Sequence, residues 1–443
     1  MNRTQILAFI GLVAPLVAEA GVLDTYGLLT GKTVLAPAAL PALPDPMVPE
    51  SLADTNKTIA AIESAFAEKG LEVVQDGPHF VRAFPQATRD FMTNAPLRGA
   101  ELALTKGQEA LPAGMIDFAG ADLRQVLDIY ALMTGRTVLR PATLPAPVIR
   151  LRTACPLTKE EGVYALETVL ALNGIRVVDD GPKFVQVVAA QQRAQVRTHA
   201  PKAQPGAEMM PAGSIDFRGA DLNQVLSIYA SMSQRTILRP ASLPGPVVSL
   251  QSASALTRQE AVYAMATVFE LNGISLVDDG EKFVQVVPTA QRAFLKATAP
   301  KPEPGAKLFD PKKVSAVSIS RPAGVPSPSK PLNDMERLEQ EFERLRKAVY
   351  DFMHIPQPNK RSPQRLLELY ARLADKTAVV STNFDRVPVC FHVETPVTRS
   401  ELLYAIETTI SLNNLAIIPV DDRRIRLGWV REVRGSPAPA IRH

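Results

Sequence analysis

A duplication constrains this chain more than any other feature. The text of residues 114–188 returns, nearly unchanged, 99 residues later at 213–287. Aligned without gaps, roughly two thirds of the positions are identical. The offset exceeds the roughly 20–50 residues of a stacked solenoid unit, so each copy should carry a core of its own.

Inside 114–188 the pattern predicts the order β-α-β-β-α-β-β. Residues 115–118 read as a short, half-buried strand. Asp122 stands where an N-cap belongs. Behind it Leu123, Val126, Leu127, Tyr130 and Met133 fall on one helix face, and Gly135 suits the end of that helix. Residues 137–139 and 148–151 are short strands separated by Pro141 and Pro145. Thr158 and Glu161 form a capping box ahead of a helix bearing Val163, Leu166, Val169 and Leu170, which Asn173-Gly174 ends. Strands at 175–178 and 184–188 flank Asp179-Asp180-Gly181, strong hairpin chemistry. The second copy keeps Asp221, Pro240, Pro244, Thr257 with Glu260, Asn272-Gly273 and Asp278-Asp279-Gly280. Caps, turns and core stripes are what is repeated, so the repetition specifies a fold before it specifies chemistry.

The opening IDF-x-GADL-x-QVL at 116–127 and 215–226, the helix running into a T-V/I-L strand and the second helix closing on L-N-G-I resemble the N0 domain of bacterial secretins. That domain also serves as the short N-terminal signalling domain of TonB-dependent transducers. The resemblance implies a small α+β module that packs against inner-membrane components of a secretion or pilus machine, or against neighbouring subunits in a ring. It also marks a departure. Nothing after residue 288 has the strand pattern of further ring-building domains or of a pore-forming barrel, so no pore is expected.

The chain of 443 residues has room for about three to four domains. Met1-Asn2-Arg3, an apolar run at 6–17 and Ala18-Glu19-Ala20 read as a secretory signal peptide over 1–20, cleaved between Ala20 and Gly21. A degenerate repeat over 21–84 aligns at an offset of 104, with Ile59, Ile62 and Phe66 on its second helix and Asp76-Gly77 at its hairpin. Pro44, Pro46 and Pro49 fall where its middle strand should run. Linkers follow at 85–112 and 189–211, around the repeats at 113–188 and 212–288. The Pro-rich stretch 289–333 should be mobile, above all 299–331. Over 334–354, Met335, Leu338, Phe342, Leu345, Val349 and Phe352 make a heptad seam. It suits either packing on the last repeat or self-association. The fourth repeat spans 363–431, with strands at 377–380 and 387–393 and a capping box of Thr398 and Glu401. A tail over 432–443 follows. The expected fold class is thus α+β: tandem small βαββαββ domains, each two helices on small mixed sheets, joined by Pro-rich linkers.

Chemistry is sparse. There is no nucleophile elbow, P-loop, dinucleotide fingerprint or H-E-x-x-H motif. The five histidines are scattered, and the expectation is no catalytic residue, no metal and no cofactor. The paired aspartates read as hairpin turns. Tyr130, Tyr229, Tyr370, Tyr164, Tyr263 and Tyr404 read as core residues with hydroxyls at the rim. Cys155 is Ser254 in the copy, so a buried thiol is expected and a disulfide is not. A net charge of +4 argues against a dedicated nucleic-acid binder.

Small sheets with short edges suit β-augmentation. The leading expectation is a non-catalytic, soluble periplasmic adaptor binding protein components of a secretion or pilus envelope system. Arg140, Val148, Arg150, Arg239 and Val247 are the candidate partner-binding residues. The alternative, a nucleic-acid-binding tandem βα module, would need a G-x-x-G clamp or exposed aromatics with cations, and neither is evident.

Overall fold

The computed structural model describes residues 21–41, 55–86, 97–102, 110–195, 199–202, 206–295, 297–301, 304–310, 339, 342–347, 362–380, 384 and 387–434. The signal-peptide reading of 1–20 and most of the tail lie outside them. The fold is mixed α+β with several small mixed sheets. It divides into two compact units, Met1–Arg218 with Ser249–Glu260 and Gly219–Val248 with Ala261–His443, so the division passes through the third repeat.

In the first unit the degenerate repeat forms α1 (Val22–Thr30), β1 (Thr33–Leu35), α2 (Thr55–Glu68), β2 (Leu71–Asp76) and β3 (Phe80–Pro85). Gly21 caps α1 in an extended conformation. The sheet order is β1-β3-β2, with β1 parallel and β2 antiparallel to β3.

The second repeat comprises α3 (Gly99–Leu102), β4 (Ala110–Leu111), β5 (Asp117–Ala121), α4 (Leu123–Thr134), β6 (Thr137–Leu139), β7 (Ile149–Arg152), β8 (Leu157–Thr158), α5 (Lys159–Leu172), β9 (Ile175–Asp179) and β10 (Phe184–Ala189). Both expected caps are present: Asp122 with Gln125, and Thr158 with Glu161, each in a reciprocal box. The main sheet repeats the first one as β6-β10-β9, while β5 pairs with β7 and β4 with β8.

Part of what reads as linker is structured. α3 and β4 fall within 85–112. Within 189–211 lie a 3₁₀ turn (Ala190–Gln195) and β11 (Met209–Met210), which pairs with β15 (Leu256–Thr257). Two-residue strands carry no periodicity, so the sequence does not announce them.

The third repeat continues with β12 (Asp216–Ala220), α6 (Leu222–Ser233), β13 (Thr236–Leu238), β14 (Val248–Gln251), α7 (Arg258–Leu271), β16 (Ile274–Asp279) and β17 (Phe283–Pro288). The fourth supplies α8 (Pro363–Leu373), β18 (Thr377–Val379), α9 (Arg399–Leu412), β19 (Leu415–Pro419), β20 (Arg424–Trp429) and α10 (Val430–Arg434). In the second unit the sheet orders β13-β17-β16 and β18-β20-β19 restate the same topology.

Two expectations need correction here. No strand forms at 387–393, although Val389, Phe391 and Val393 are all buried in alternation. In the second repeat the corresponding strand β7 is paired by β5, which precedes the first helix. In the fourth repeat the residues just before Ser362 lie outside the described ones, and no partner strand is present among the described residues. Next, the stretch expected to be mobile is anchored at two described points. Ala299 N donates to Asp279 at 2.9 Å, and Phe309, fully buried, exchanges backbone hydrogen bonds with Val397. Residues 311–338 lie outside the described ones. Of the heptad seam, Phe342 and Leu345 pack against the core of the last repeat, Phe342 with its ring 4.9 Å from Phe309.

Within each unit the core runs from one repeat into the next. Leu35, Phe80 and Phe84 of the first repeat join the cluster built on Val126, Tyr130, Leu166 and Val187 of the second. Leu238 and Phe283 of the third join that of Leu366, Phe391, Leu402 and Ile425 of the fourth.

Candidate interaction site at the repeat junctions

Four polar positions shared between repeats turn out to hold one repeat to the next. The first is the threonine that opens the short parallel strand. Thr33, Thr137 and Thr236 accept a hydrogen bond from the backbone N–H of Ala154, Ala253 and Glu394, each in the following repeat, at 3.1–3.2 Å.

The second is the glutamate of the capping box. One side of its carboxylate satisfies the N-cap backbone, as Glu260 does for Thr257 N at 2.7 Å. The same buried carboxylate also takes a base from the repeat before. Lys183 Nζ donates to Glu260 at 2.7 Å and Lys282 Nζ to Glu401 at 2.8 Å, while His79 Nδ1 lies 2.7 Å from Glu161. Burial alone would raise the Glu260 pKa. The Lys183 ammonium and the Thr257 N–H outweigh it, so the carboxyl titrates below its usual range.

The third is the aspartate just before the hairpin glycine. Asp76, Asp180 and Asp279 are buried. Each ties down the neighbouring strand, through Arg82 Nε at 2.7 Å, Gln186 at 2.8 Å and Gln285 at 2.6 Å. Each also accepts a backbone N–H from the segment that leaves the repeat: Gly99, Ala200 and Ala299. Tyr164 donates to Asp76 at 2.5 Å and Tyr404 to Asp279.

The fourth is the asparagine ending the second helix. Asn173 and Asn413 accept from Ala38 N and Ala241 N at 2.8 and 2.9 Å, while their amide groups donate back to their own helices.

The aspartate and tyrosine readings therefore change. Asp180 and Asp279 are buried anchors, whereas their neighbours Asp179 and Asp278 are exposed partners of Arg136 and Arg235. Tyr130 does end at the rim of its own repeat, donating to Glu167, and Tyr370 does the same to Glu407. Tyr164 and Tyr404 instead cross to the preceding repeat, with Phe80 and Phe283 stacked edge-on at 5.5 and 5.7 Å. Cys155 is half-buried at the first junction, its Sγ donating to His79 O, and burial pushes its thiol pKa up. The available signal was the retention, in both good copies, of polar residues beyond what caps and turns demand: Lys183 and Lys282 after the turn, and Gln186 and Gln285 on the strand.

Beside each of the first two junctions runs a groove. One, of about 400 Å³, lies between α1 and the β7 edge and is lined by Asp24, Arg150 and Arg152. The next, of about 410 Å³, lies between α4 and the β14 edge and is lined by Arg124, Asp128, Arg140 and Arg218. The structure thus places Arg140 and Arg150 in equivalent grooves at successive junctions. Val148 and Val247 are exposed by 58% and 56%, outside the residues that line either groove, and Arg239 is half-buried in the second unit. Burial lowers the Arg140 pKa and raises that of Asp24. Among the described residues no group of three or more His, Cys, Asp or Glu is placed to hold a metal ion, and no helix is long and apolar enough to cross a membrane.

Comparison with protein-family models gives no match, and comparison with curated proteins gives none either.

Proposed function

We propose that this chain is a non-catalytic adaptor, built of tandem βαββαββ modules and exported to the periplasm, that binds protein components of a secretin-type secretion or pilus system. The observation that carries the reading is the use made of the shared polar residues. The buried Asp, Glu and Thr and the half-buried Asn at equivalent positions are taken up in anchoring one repeat to the next or to the segment leading to it. A reaction centre would need such residues to converge on a cavity. What the docked repeats present outward are short strand edges and grooves lined by arginine, which suit extended protein segments. The secretin N0 resemblance of 116–127 and 215–226 supplies the envelope setting.

The test is crosslinking in intact cells followed by isolation from separated envelope and cytosolic fractions. The reading expects the mature chain in the periplasmic fraction, crosslinked to secretion or pilus components. It also expects that crosslink to weaken when Arg140 and Arg150 are both replaced by Glu. Recovery in the cytosol bound to nucleic acid would overturn it.

A further inference from the structure

The groove between α4 and β14 carries more information than its volume. α4 forms one wall, and two sheet edges border the space. β6 is the outer strand of β6-β10-β9, and among the described residues β14 has a strand neighbour, β12, on one side only. Just past β14, Ala253 N donates to Thr137 Oγ1 of β6 at 3.1 Å. Residues 249–251 of β14, and 252 and 253 just beyond it, line the space. An edge without a neighbour offers backbone N–H and C=O groups as a template for one more strand.

The charges beside that edge are unequal. Arg124, Arg140 and Arg218 face the groove against Asp128 alone. Arg124 reaches Asp128 at 3.9 Å and Arg218 reaches Asp216 at 2.9 Å. Arg140 makes neither a hydrogen bond nor an ion pair among the described residues. The residue is half-buried, so its guanidinium has an incomplete water shell and no acceptor among the described residues in exchange. A carboxylate is the ligand that matches its fork of donors in two parallel bonds. Leu132 stands on the helix wall with 78% of its surface exposed. The third repeat has Ser231 at that position, with Asn223 and Ser227 in place of Arg124 and Asp128. The combination therefore belongs to this junction and not to the repeat in general.

We propose that this groove binds an extended acidic segment of a partner protein, laid along the β14 edge with one carboxylate on Arg140 and an apolar side chain on Leu132. This rests on the adaptor reading and names the chemistry of what is bound. A strand edge and an apolar lip favour a peptide over a nucleic acid, which would present phosphates without a backbone able to pair with β14.

The test uses the full chain and fluorescence anisotropy with a short labelled peptide alternating Glu and Leu, its Lys-for-Glu counterpart and a labelled oligothymidylate. Saturable binding of the acidic peptide alone is expected. R140A should weaken it about tenfold, which is about 1.4 kcal/mol. R140K, which keeps the charge but loses the fork, should fall between. L132S, which installs the residue of the third repeat, should weaken binding severalfold without disturbing the fold. R239A should leave it unchanged, and unfolding midpoints of all variants report intactness. Equal affinity of R140A and the parent chain overturns the assignment, as does no binding of the acidic peptide or preference for the oligothymidylate. Should the envelope crosslinks persist in R140A and L132S, the adaptor reading stands while this groove is excluded as its site.

Discussion

Replacing Lys183 by Ala should cost stability in a way that only a shared capping carboxylate explains. Lys183 Nζ donates both to Glu260, at 2.7 Å, and to Ala255 O, at 3.0 Å. Glu260 is buried, while Lys183 keeps about a quarter of its side-chain surface in water. A hydrogen bond between charged groups contributes roughly 1.5–3 kcal/mol, and partial exposure of the lysine brings the expected loss to about 1–2 kcal/mol. Glu260 has a lowered pKa in the folded chain, so its contribution is present above its unfolded value and is lost as pH falls through the folded value. The difference between parent and K183A should therefore be full at neutral pH and disappear in acid, where both chains carry a protonated Glu260. Urea unfolding across this range measures it, and K183A with E260Q in a double-mutant cycle isolates the pair. A neutral-pH difference below about 0.3 kcal/mol, within the additivity error of distant sites, would refute the reasoning. So would a difference that persists unchanged in acid.

Other consequences are more local. Arg82→Ala strands the buried Asp76 and should cost about 3–5 kcal/mol, whereas Arg82→Gln installs the pairing seen with Gln186 and Gln285 and should cost clearly less by the same unfolding assay. The phenols of Tyr26, Tyr130, Tyr164, Tyr370 and Tyr404 are raised by burial, and Tyr229 is pushed up to about 12. Neutral phenols thus contribute stability below pH about 10 that is lost as pH rises through the folded values, so ultraviolet titration should show these tyrosines ionising together with unfolding. A Cβ at Gly99 would stand 2.1 Å from Asp76 O, so Gly99→Ala must push the segment entering the second repeat off the first hairpin. A loss of about 1–3 kcal/mol in urea unfolding is expected.

The sequence displayed the fold unevenly, for physical reasons. Helices α4 and α5 were legible because stripe, cap and stop signal agree at Asp122, Gly135, Thr158 and Asn173. The hairpin strands were legible because Asp-Asp-Gly bounds them. The paired strands β4 and β8 were not, since two residues cannot show a period. The strand expected at 387–393 has the right alternation, but alternation reports burial and not the presence of a partner. The junctions were hidden for a different reason. Glu161, Glu260 and Glu401 are fully accounted for as capping residues, and Asp180 and Asp279 as turn residues. A second role beyond the same repeat leaves no mark on local spacing. Only the repeated lysine and glutamine beside the hairpin hinted that the copies share a docking surface as well as a fold. Arg140 was legible as a candidate because both copies keep it. Its groove was not, since the opposite wall comes from the following repeat.

Site-resolved amide hydrogen exchange at Ala154, Ala253 and Glu394 tests the docking of successive repeats most directly. These amides belong to irregular segments, yet each donates to a threonine of the preceding repeat. Docked repeats predict protection approaching that of the core strands, lost at one site at a time in T33V, T137V and T236V. Exchange at the rate of an open loop in the parent chain would mean that the repeats move independently, and would contradict the account.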